Sequence, residues 1–588
     1  MVANAKNGYF QEVPKLGNQY DEDPYFRSIL RRLLPTQVLE EITPDLRALG
    51  QSAVEEIAKL GDQVEDPANH PRLKQYDAWC QRVDEIQVTP AWKQLHAIAA
   101  KEGLIAIAYE RKYGEHSRIY QFAKHYLYAP SSAMYDCPLS MTDGAARVIE
   151  LLGSEQVKAK YLPRLISRDP NVFWTSGQWM TERPGGSDVG GTETEAELID
   201  ASKNMWSISG FKWFSSATTS DMAMLLARTK DPKSGEFTKG SKGLSLFLAE
   251  MRGLDGKLNG VRVHRLKDKY GTRGLPTAEL ELEDMRGTLI GNLGRGVPSI
   301  ASILNITRIY SALGGITGLR RSLALAKEYA KKRVAFNKPL RDLPLHIVTL
   351  AELELTLRAT TQLFFYEVQL LGRTECTALG VKGQEHDATM LRFVTPVVKA
   401  YAAKAAVHAI GEAMEALGGQ GYMEDVGIAR QLRDAQVNTI WEGTTNVLAL
   451  DVLRVLRETK CGVLAVFKET VHQKLQPAAA HPTLHTAAAH VRTALDDIES
   501  YIYSIRHQEV MEAGARGLTF AVARALAGAL LVEHAAWAAE AGEPGAEVDV
   551  AVAERWCAGG KLIEGLVVRE PESIAQDVAM VYGSDAKL

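Results

Sequence analysis

The chain has 588 residues, of which 46% are hydrophobic and 24% charged, with a formal net charge of −4. This length exceeds what one hydrophobic core supports, so several domains are expected. The small net charge gives no global electrostatic basis for binding nucleic acid or an anionic membrane. The five cysteines form no CxxC pair. This pattern indicates a reducing compartment, with neither a disulfide framework nor a cysteine zinc site. No metal-binding residues are predicted.

The first part of the chain has the apolar period of helices. Apolar residues recur every three to four positions, which is typical of amphipathic helices packed on a core. The clearest segments are residues 25–34, 36–60, 91–113 and 140–152. Residues 1–170 are therefore predicted to form an N-terminal α domain.

The pattern changes to short alternating runs after residue 170. Runs such as MWSISGFKWF and GLSLFLAEM are separated by turn clusters such as DPKSG. Short strands at this spacing are typical of compact β domains. We predict a β barrel or sandwich over residues 171–290.

Long helical periods return after residue 290. A four-helix bundle domain is predicted over residues 291–459. Its helices correspond to segments 297–332, 344–373, 387–417 and 445–458. Residues 460–588 form an additional helical extension, in which acidic residues outnumber basic ones. The predicted fold class is therefore α+β, mostly α, with a helical domain, a central β domain, a bundle and the extension.

The most apolar long stretch, residues 518–539, contains Arg524, Glu533 and His534. Charged groups in mid-segment favour a buried or amphipathic helix, so no membrane span is expected. The last three residues, Ala586, Lys587 and Leu588, resemble a peroxisomal targeting tripeptide. We expect a peroxisomal location on this basis, with the cytoplasm or mitochondrion as the alternative, because three residues often match by chance.

Three glycine clusters could carry chemistry or simply form turns. The first, MTERPGGSDVG over residues 180–190, includes Thr181 and Ser187. It suits close backbone approach to a phosphate or flavin edge, or an ordinary turn between strands. Glycines 291, 294 and 296 lie in no βαβ pattern, so they predict a turn entering a helix. Gly418 and Gly419 could cap a helix C-terminus.

Glu442 stands on a turn in the stretch RDAQVNTIWEGTTN, residues 433–446. A helix over about residues 416–437 should precede this turn, and another should begin near Thr444. The apolar neighbours Ile440, Trp441 and Leu450 predict a site that would raise a carboxyl pKa toward the range of a proton-abstracting base. The alternative is a solvated loop glutamate beside a threonine helix cap.

Five stretches in this order resemble the acyl-CoA dehydrogenase flavoprotein family, and most closely its AidB-like branch. The chain departs from the family at Asn337, where a glycine is common, and at Trp441, which is bulkier than the frequent tyrosine. The matching stretches are residues 181–188, 211–216 (FKWFSS), 333–337 (RVAFN), 417–422 (LGGQGY) and 433–444.

The resemblance implies an FAD cofactor and a homo-oligomer. The family holds the adenine half of FAD across a subunit boundary, so oligomerisation is part of cofactor binding. The resemblance further implies a homotetramer built as a dimer of dimers. Substrate contacts fall on Ser187, Arg308, Trp441 and Gly443. The implied FAD contacts are Thr181, Ser187, Phe214, Ser216, Arg333, Phe336, Gly418, Gly419, Thr444 and Asn446.

The resemblance also assigns the catalytic base to Glu442. Some branches place the base at a position that matches Thr307, and a threonine cannot do this work at neutral pH. The implied reaction belongs to fatty acid β-oxidation. The base takes the α-proton of a fatty acyl-CoA, flavin takes the β-hydride, and a trans-2-enoyl-CoA is released. Electrons would pass to an electron-transfer flavoprotein, or to oxygen as in acyl-CoA oxidases.

Two other functions fit the same stretches. One is an AidB-like, DNA-associated or stress-response flavoprotein with weak dehydrogenase activity. The acidic extension argues against this function, because non-specific DNA binding requires a basic face, and a nucleic-acid partner is not expected. The other is a non-catalytic protein that binds and sequesters acyl-CoA.

Overall fold

The computed structural model describes residues 2–230, 234–376 and 383–583. The tripeptide at residues 586–588 lies outside these residues. The chain divides into two compact units. The barrel unit is Ala48–Tyr310, and the bundle unit is Met1–Arg47 together with Ser311–Leu588.

Residues before 170 are mainly helical, as predicted, but they also contain a β hairpin that we did not predict. The hairpin pairs β1 (Arg72–Tyr76) with β2 (Arg82–Gln87). Leu73 and Ile86 pack against the barrel core, so tertiary packing explains the strand conformation. The helices are α1 (Pro24–Leu33), α2 (Thr36–Ser52), α3 (Glu56–Glu65), α4 (Pro90–Lys101), α5 (Ala106–Glu110), α6 (Ser117–Tyr128), α7 (Asp136–Leu152) and α8 (Glu155–Leu165).

The predicted central β domain is confirmed as a barrel. Strands β4, β5, β9, β7 and β6 pair in this order, and β6 pairs again with β4, which closes the circuit. Strand β3 adds to β6 in parallel, and β8 adds to β9 in antiparallel orientation. The strands are β3 (Ser176–Trp179), β4 (Glu195–Asp200), β5 (Met205–Ser216), β6 (Met222–Thr229), β7 (Leu244–Glu250), β8 (Val261–Leu266) and β9 (Thr277–Ile290).

The helices that follow form the bundle and the extension. The predicted helix over residues 416–437 is wrong in its first half. Gly418 and Gly427 have left-handed φ angles of 60° and 81°, which interrupt an α-helix. Gly427 directly precedes the helix that begins at Ile428, so only the last part of the predicted segment is α-helical. The elements are α9 (Gly296–Lys332), β10 (Val334–Ala335), β11 (Lys338–Pro339), α10 (Pro344–Cys376), α11 (Gln384–Glu415), α12 (Ile428–Asn438), α13 (Thr445–Glu458), α14 (Gly462–Leu475), α15 (Leu484–Ser504), α16 (Gln508–Ala541), α17 (Ala546–Cys557) and α18 (Pro571–Tyr582).

Strand β6 shows how the barrel unit is packed. Met222, Met224 and Leu226 face a core shared with α7, α8 and the start of α9. The alternate residues Ala223 and Leu225 face the other core, beside Trp206 and Phe247. Because side chains alternate along a strand, an unbroken apolar run identifies a strand that is covered on both faces.

Helix α16 is the single helix among the described residues that is long and apolar enough to cross a bilayer. Of its most apolar window, 78% is buried inside the protein, and α15 and α17 pack beside it. This burial accounts for the apolar composition and confirms the prediction of a buried helix.

His534 on α16 lies in a buried polar network with α1. Arg32 Nε donates to His534 Nδ1 at 3.1 Å, and Ser28 Oγ lies 3.4 Å from Nε2. Burial and the nearby arginines hold the pKa of His534 well below its usual value. Its neutral form is therefore the one that fits the folded chain.

We predict that this network makes the bundle unit sensitive to acid. Below pH 6.5, His534 takes up a proton when the chain unfolds. Its contribution to the free energy of unfolding is therefore complete above pH 6.5 and falls below that pH by at most about 1.4 kcal/mol per pH unit. The nearby Asp549 acts in the opposite sense, because burial raises its pKa to about 6. The melting temperature of His534→Gln should therefore fall less than that of the wild type between pH 6.5 and 5. The control His485→Gln, at an exposed position of α15, should follow the wild type, and parallel curves for all three proteins would contradict the prediction.

Candidate active site

Two of the predicted cofactor-binding stretches meet in the barrel unit. Trp213 N on β5 donates a hydrogen bond to Thr181 O at 2.9 Å. The neighbours of these two residues, Lys212 and Glu182, form an ion pair in which Lys212 Nζ lies 2.6 Å from Glu182 Oε1. The stretches around Thr181 and Phe214 are therefore fixed to each other by a backbone bond and an ion pair.

The Lys212–Glu182 pair is almost completely buried, with side-chain exposures of 0% and 3%. Glu182 also accepts from Thr194 Oγ1 at 2.6 Å and from Glu193 N at 2.6 Å. Burial alone would raise the pKa of Glu182, but the Lys212 ammonium and these hydrogen bonds lower it below its usual value. The carboxylate is therefore charged, and its oxygens already accept bonds from Lys212, Thr194 and Glu193. We assign the pair a structural role in holding the site.

The glycine turn after Glu182 is open to a ligand. A Cβ at Gly186 would lie 2.6 Å from Thr181 Oγ1, so only glycine lets the turn fold back on Thr181. Ser187 is exposed beyond the turn. On β5, Phe214 is 54% exposed and Ser216 Oγ lies 3.1 Å from Thr277 Oγ1.

The turn that carries Glu442 lies in the bundle unit, between α12 and α13. Glu442 is half-buried and has a left-handed φ of 57°. Such an angle is uncommon for residues other than glycine and costs about 1 to 3 kcal/mol, so it persists only where neighbouring groups enforce it. Thr444 caps α13 by accepting from Val447 N at 3.4 Å. The predicted threonine cap is present, and the glutamate precedes it in a constrained conformation.

Lys399 on α11 enforces this conformation. Its ammonium group donates to Trp441 O at 2.7 Å and to Gly443 O at 2.5 Å, the two carbonyl groups that flank Glu442. Lys399 is only 1% exposed. Sequence reasoning missed this residue. The apolar run PVVKAYAAKAAV contains both Lys399 and Lys404, and because Lys404 is exposed, the run by itself does not show which lysine is buried.

The predicted apolar surroundings of Glu442 are only partly correct within this chain. Leu448 is buried, but Ile440 and Leu450 are 56% and 43% exposed. Leu450 lies two residues from Leu448 on α13, and two residues correspond to about 200° around a helix, so the two side chains face different directions. The sequence neighbours of Glu442 therefore do not all shield it.

The other predicted FAD residues of the bundle unit lie on turns. Phe336 and Asn337 have φ angles of 52° and 63° between β10 and β11. This two-residue hairpin requires left-handed residues, which explains how asparagine serves where glycine is common. Gly418 and Gly419 have open space at their Cβ positions, as a ligand-facing backbone would. Thr444 and Asn446 are exposed at the start of α13.

Thr307 and Arg308 lie on α9 in the barrel unit. Thr307 is buried, and its hydroxyl donates to Ile303 O at 3.2 Å. A hydroxyl bonded within its own helix does not act as a base, which agrees with the expectation from the sequence. Arg308 is half-buried.

Family models match nearly the whole chain in four consecutive parts. The model of the adaptive response protein AidB N-terminal domain matches residues 12–170. The acyl-CoA dehydrogenase middle domain matches residues 177–285, and its C-terminal domain matches residues 294–457. The acyl-CoA dehydrogenase 11 C-terminal domain-like model matches residues 462–582.

Individual relatives agree with these matches. The chain is 42% identical to acyl-CoA dehydrogenase family member 11 of Caenorhabditis elegans over 574 residues, covering 96% of this chain and 91% of that protein. It is 32% identical to the putative acyl-CoA dehydrogenase AidB of Escherichia coli K12, covering 72% and 74%. The crystal structure of C. elegans ACDH-11 in complex with C11-CoA has a TM-score of 0.93 at 40% identity, covering 100% of this chain and 99% of that one.

The chain therefore belongs to the acyl-CoA dehydrogenase family, in its AidB-like branch, and the predictions of the family, the enzyme class and FAD as cofactor are confirmed. Two features of the barrel unit fit this cofactor. The Gly186 turn leaves the Thr181 hydroxyl and backbone N–H groups accessible to a flavin, and Ser215 Oγ is buried without a hydrogen-bond partner in the described part of the chain. The individual cofactor contacts stay predictions.

We predict that Lys212→Met destabilises the barrel unit by about 3 to 5 kcal/mol, because Glu182 is left buried and unpaired. The purified variant should also carry less FAD, since Thr181 and Phe214 lose their shared support. Thermal unfolding and flavin absorbance per chain measure both effects. Lys230→Met is a matched control, because it removes an exposed pair with Glu197, also 2.6 Å long, that is worth about 0 to 1 kcal/mol. If both variants lost the same stability and the same amount of FAD, Lys212 would have no special role in holding the site.

Proposed function

We propose that the chain dehydrogenates fatty acyl-CoA to trans-2-enoyl-CoA, with Glu442 as the base. The observation that carries this proposal is the conformation of Glu442, a left-handed glutamate whose two flanking carbonyl groups are bonded to one buried lysine. Structure that enforces an unfavourable backbone angle on a carboxylate is typical of functional sites. A solvated loop glutamate with no function would not require a buried lysine to hold its backbone in this conformation.

The proposed reaction requires few groups from the protein. The Glu442 carboxylate would take the α-proton of the thioester, and the chemistry that FAD would supply when bound is acceptance of the hydride from the β-carbon. The thioester carbonyl becomes more negative as the proton leaves. A hydrogen bond from the Glu442 backbone N–H would stabilise it, and one donor of this kind is worth about 3 to 4 kcal/mol. Lys399 bonds the carbonyl of the peptide group that carries the Glu442 N–H, and it also bonds the Gly443 carbonyl beyond Glu442. These two bonds set the position of the base and of this donor.

A medium-chain acyl-CoA is the proposed substrate. The support is the C11-CoA complex of C. elegans ACDH-11, which this chain matches over its full length at 40% identity. We also propose that the chain works as a homo-oligomer. The hairpin of β10 and β11 supports this, because Val334 on its first strand and Phe336 at its tip are 50% and 89% exposed in the single chain. Exposed apolar clusters mark interaction sites.

We expect Glu442→Gln to keep its FAD and its melting temperature but to lose bleaching of the flavin by undecanoyl-CoA under anaerobic conditions. Glutamine has the same size as glutamate and cannot accept the α-proton. Absorbance at the flavin maximum, followed by stopped flow, measures the change. Glu458→Gln, at the exposed end of α13, should bleach like the wild type. Normal bleaching in the Glu442 variant would exclude it as the base.

We expect Lys399→Met to lower kcat about 10²-fold with a smaller change in KM, because a base displaced by about 1 Å loses this much rate while the binding surface stays. The Met side chain has nearly the volume of the lysine stem, which limits the packing change. Steady-state kinetics with a dye acceptor gives both constants. Lys404→Met on the same helix is exposed and should leave them unchanged. A variant with full kcat would show that the turn holds without Lys399.

A further inference from the structure

The C-terminal extension forms a cleft with the bundle. This cleft has a volume of about 480 Å³, within the range of small-molecule sites. Its walls include Leu355 on α10, Tyr401 on α11 and Trp556 on α17. None of the residues predicted to bind FAD or acyl-CoA lines it.

The apolar part of the cleft is made by two aromatic rings. The rings of Tyr401 and Trp556 lie 6.4 Å apart at an angle of 89°. Trp556 is held in place because its Nε1 donates to Arg524 O at 3.1 Å. The two rings therefore form a fixed corner, which suits contact with the face and edge of a flat apolar group.

The polar part of the cleft is centred on Arg524. Its Nε donates to Leu562 O at 3.2 Å, and its Nη2 donates to Glu564 O. Among the described residues, Arg524 forms no ion pair with a carboxylate. Its guanidinium is half-buried, and burial lowers its pKa below the usual value. Within the described part of the chain, Nη1 of Arg524 donates no hydrogen bond. A partly desolvated guanidinium with such a nitrogen is a ready partner for a carboxylate.

The surrounding charges leave one positive charge in excess. Lys561, Glu564 and Glu352 line the cleft together with Arg524. Arg555, outside the lining, pairs with Glu352 through Nη2 at 3.0 Å. With Arg555 counted, three cationic groups stand against two carboxylates. This balance favours a ligand that carries a single negative charge.

We propose that the cleft binds an aromatic monocarboxylate, with its carboxylate on Arg524 and its ring in the corner of Tyr401 and Trp556. The site is separate from the acyl-CoA chemistry and depends on the extension for Arg524, Trp556 and Lys561. It gives residues 460–588 a binding function in addition to packing on the bundle.

The test is isothermal titration of the FAD-loaded protein with 2-naphthoate, whose ring system and single charge match the cleft. Arg524→Gln should weaken binding at least tenfold, because it removes the carboxylate partner. Glu564→Gln should tighten binding about two- to threefold, since it removes a repulsive charge, and Lys561→Gln should weaken it by a similar factor. Neutral 2-naphthamide should bind the wild type at least tenfold more weakly than 2-naphthoate.

Arg516→Gln is the matched control, because Arg516 is exposed two turns earlier on α16 and does not line the cleft. It should bind 2-naphthoate like the wild type. Where Arg524→Gln fails to fold, the opposite effects of the exposed residues Glu564 and Lys561 still decide the matter. Absence of binding to the wild type at millimolar 2-naphthoate, equal binding in all variants, or equal binding of the amide and the acid would each overturn the proposal.

Discussion

The hydrogen bonds from the Lys399 ammonium to the carbonyl groups of Trp441 and Gly443 are the constraint on which the candidate active site depends. They hold Glu442 at a backbone angle that the chain would otherwise avoid. An ammonium group buried in a helical bundle is costly unless it is fully hydrogen-bonded. The turn and the lysine therefore stabilise each other, and the catalytic proposal rests on this mutual support.

The barrel unit uses a buried lysine in a different way. Lys212 pairs with Glu182 and joins the two stretches that carry the predicted flavin contacts. Removing one partner of a buried pair leaves an unpaired charge, so both positions are hard to change singly. In each unit, a buried lysine holds a chain segment in place through hydrogen bonds or an ion pair. The residues proposed to contact ligands lie in that segment or next to it.

The extension is joined to the rest of the bundle unit by polar contacts as well as by apolar packing. Helix α1 reaches it through Arg31, which pairs with Glu543, and through Arg32, which pairs with Glu533. These contacts connect segments about 500 residues apart in the chain and surround the neutral His534. The proposed carboxylate cleft uses Arg524, which lies earlier on the same helix α16, so anchoring and ligand binding are separate features of the extension.

The sequence by itself determined the family, the order of helical and β segments, and the position of Glu442, because these follow from local period and from short ordered motifs. It did not determine the β1–β2 hairpin, whose strands form by packing on the barrel. It also did not show which neighbours shield Glu442, since the helical turn sends Leu448 inward and Leu450 outward. The partners of Lys399, Lys212 and Arg524 lie 14 or more residues away in the chain, so only the tertiary structure could decide them.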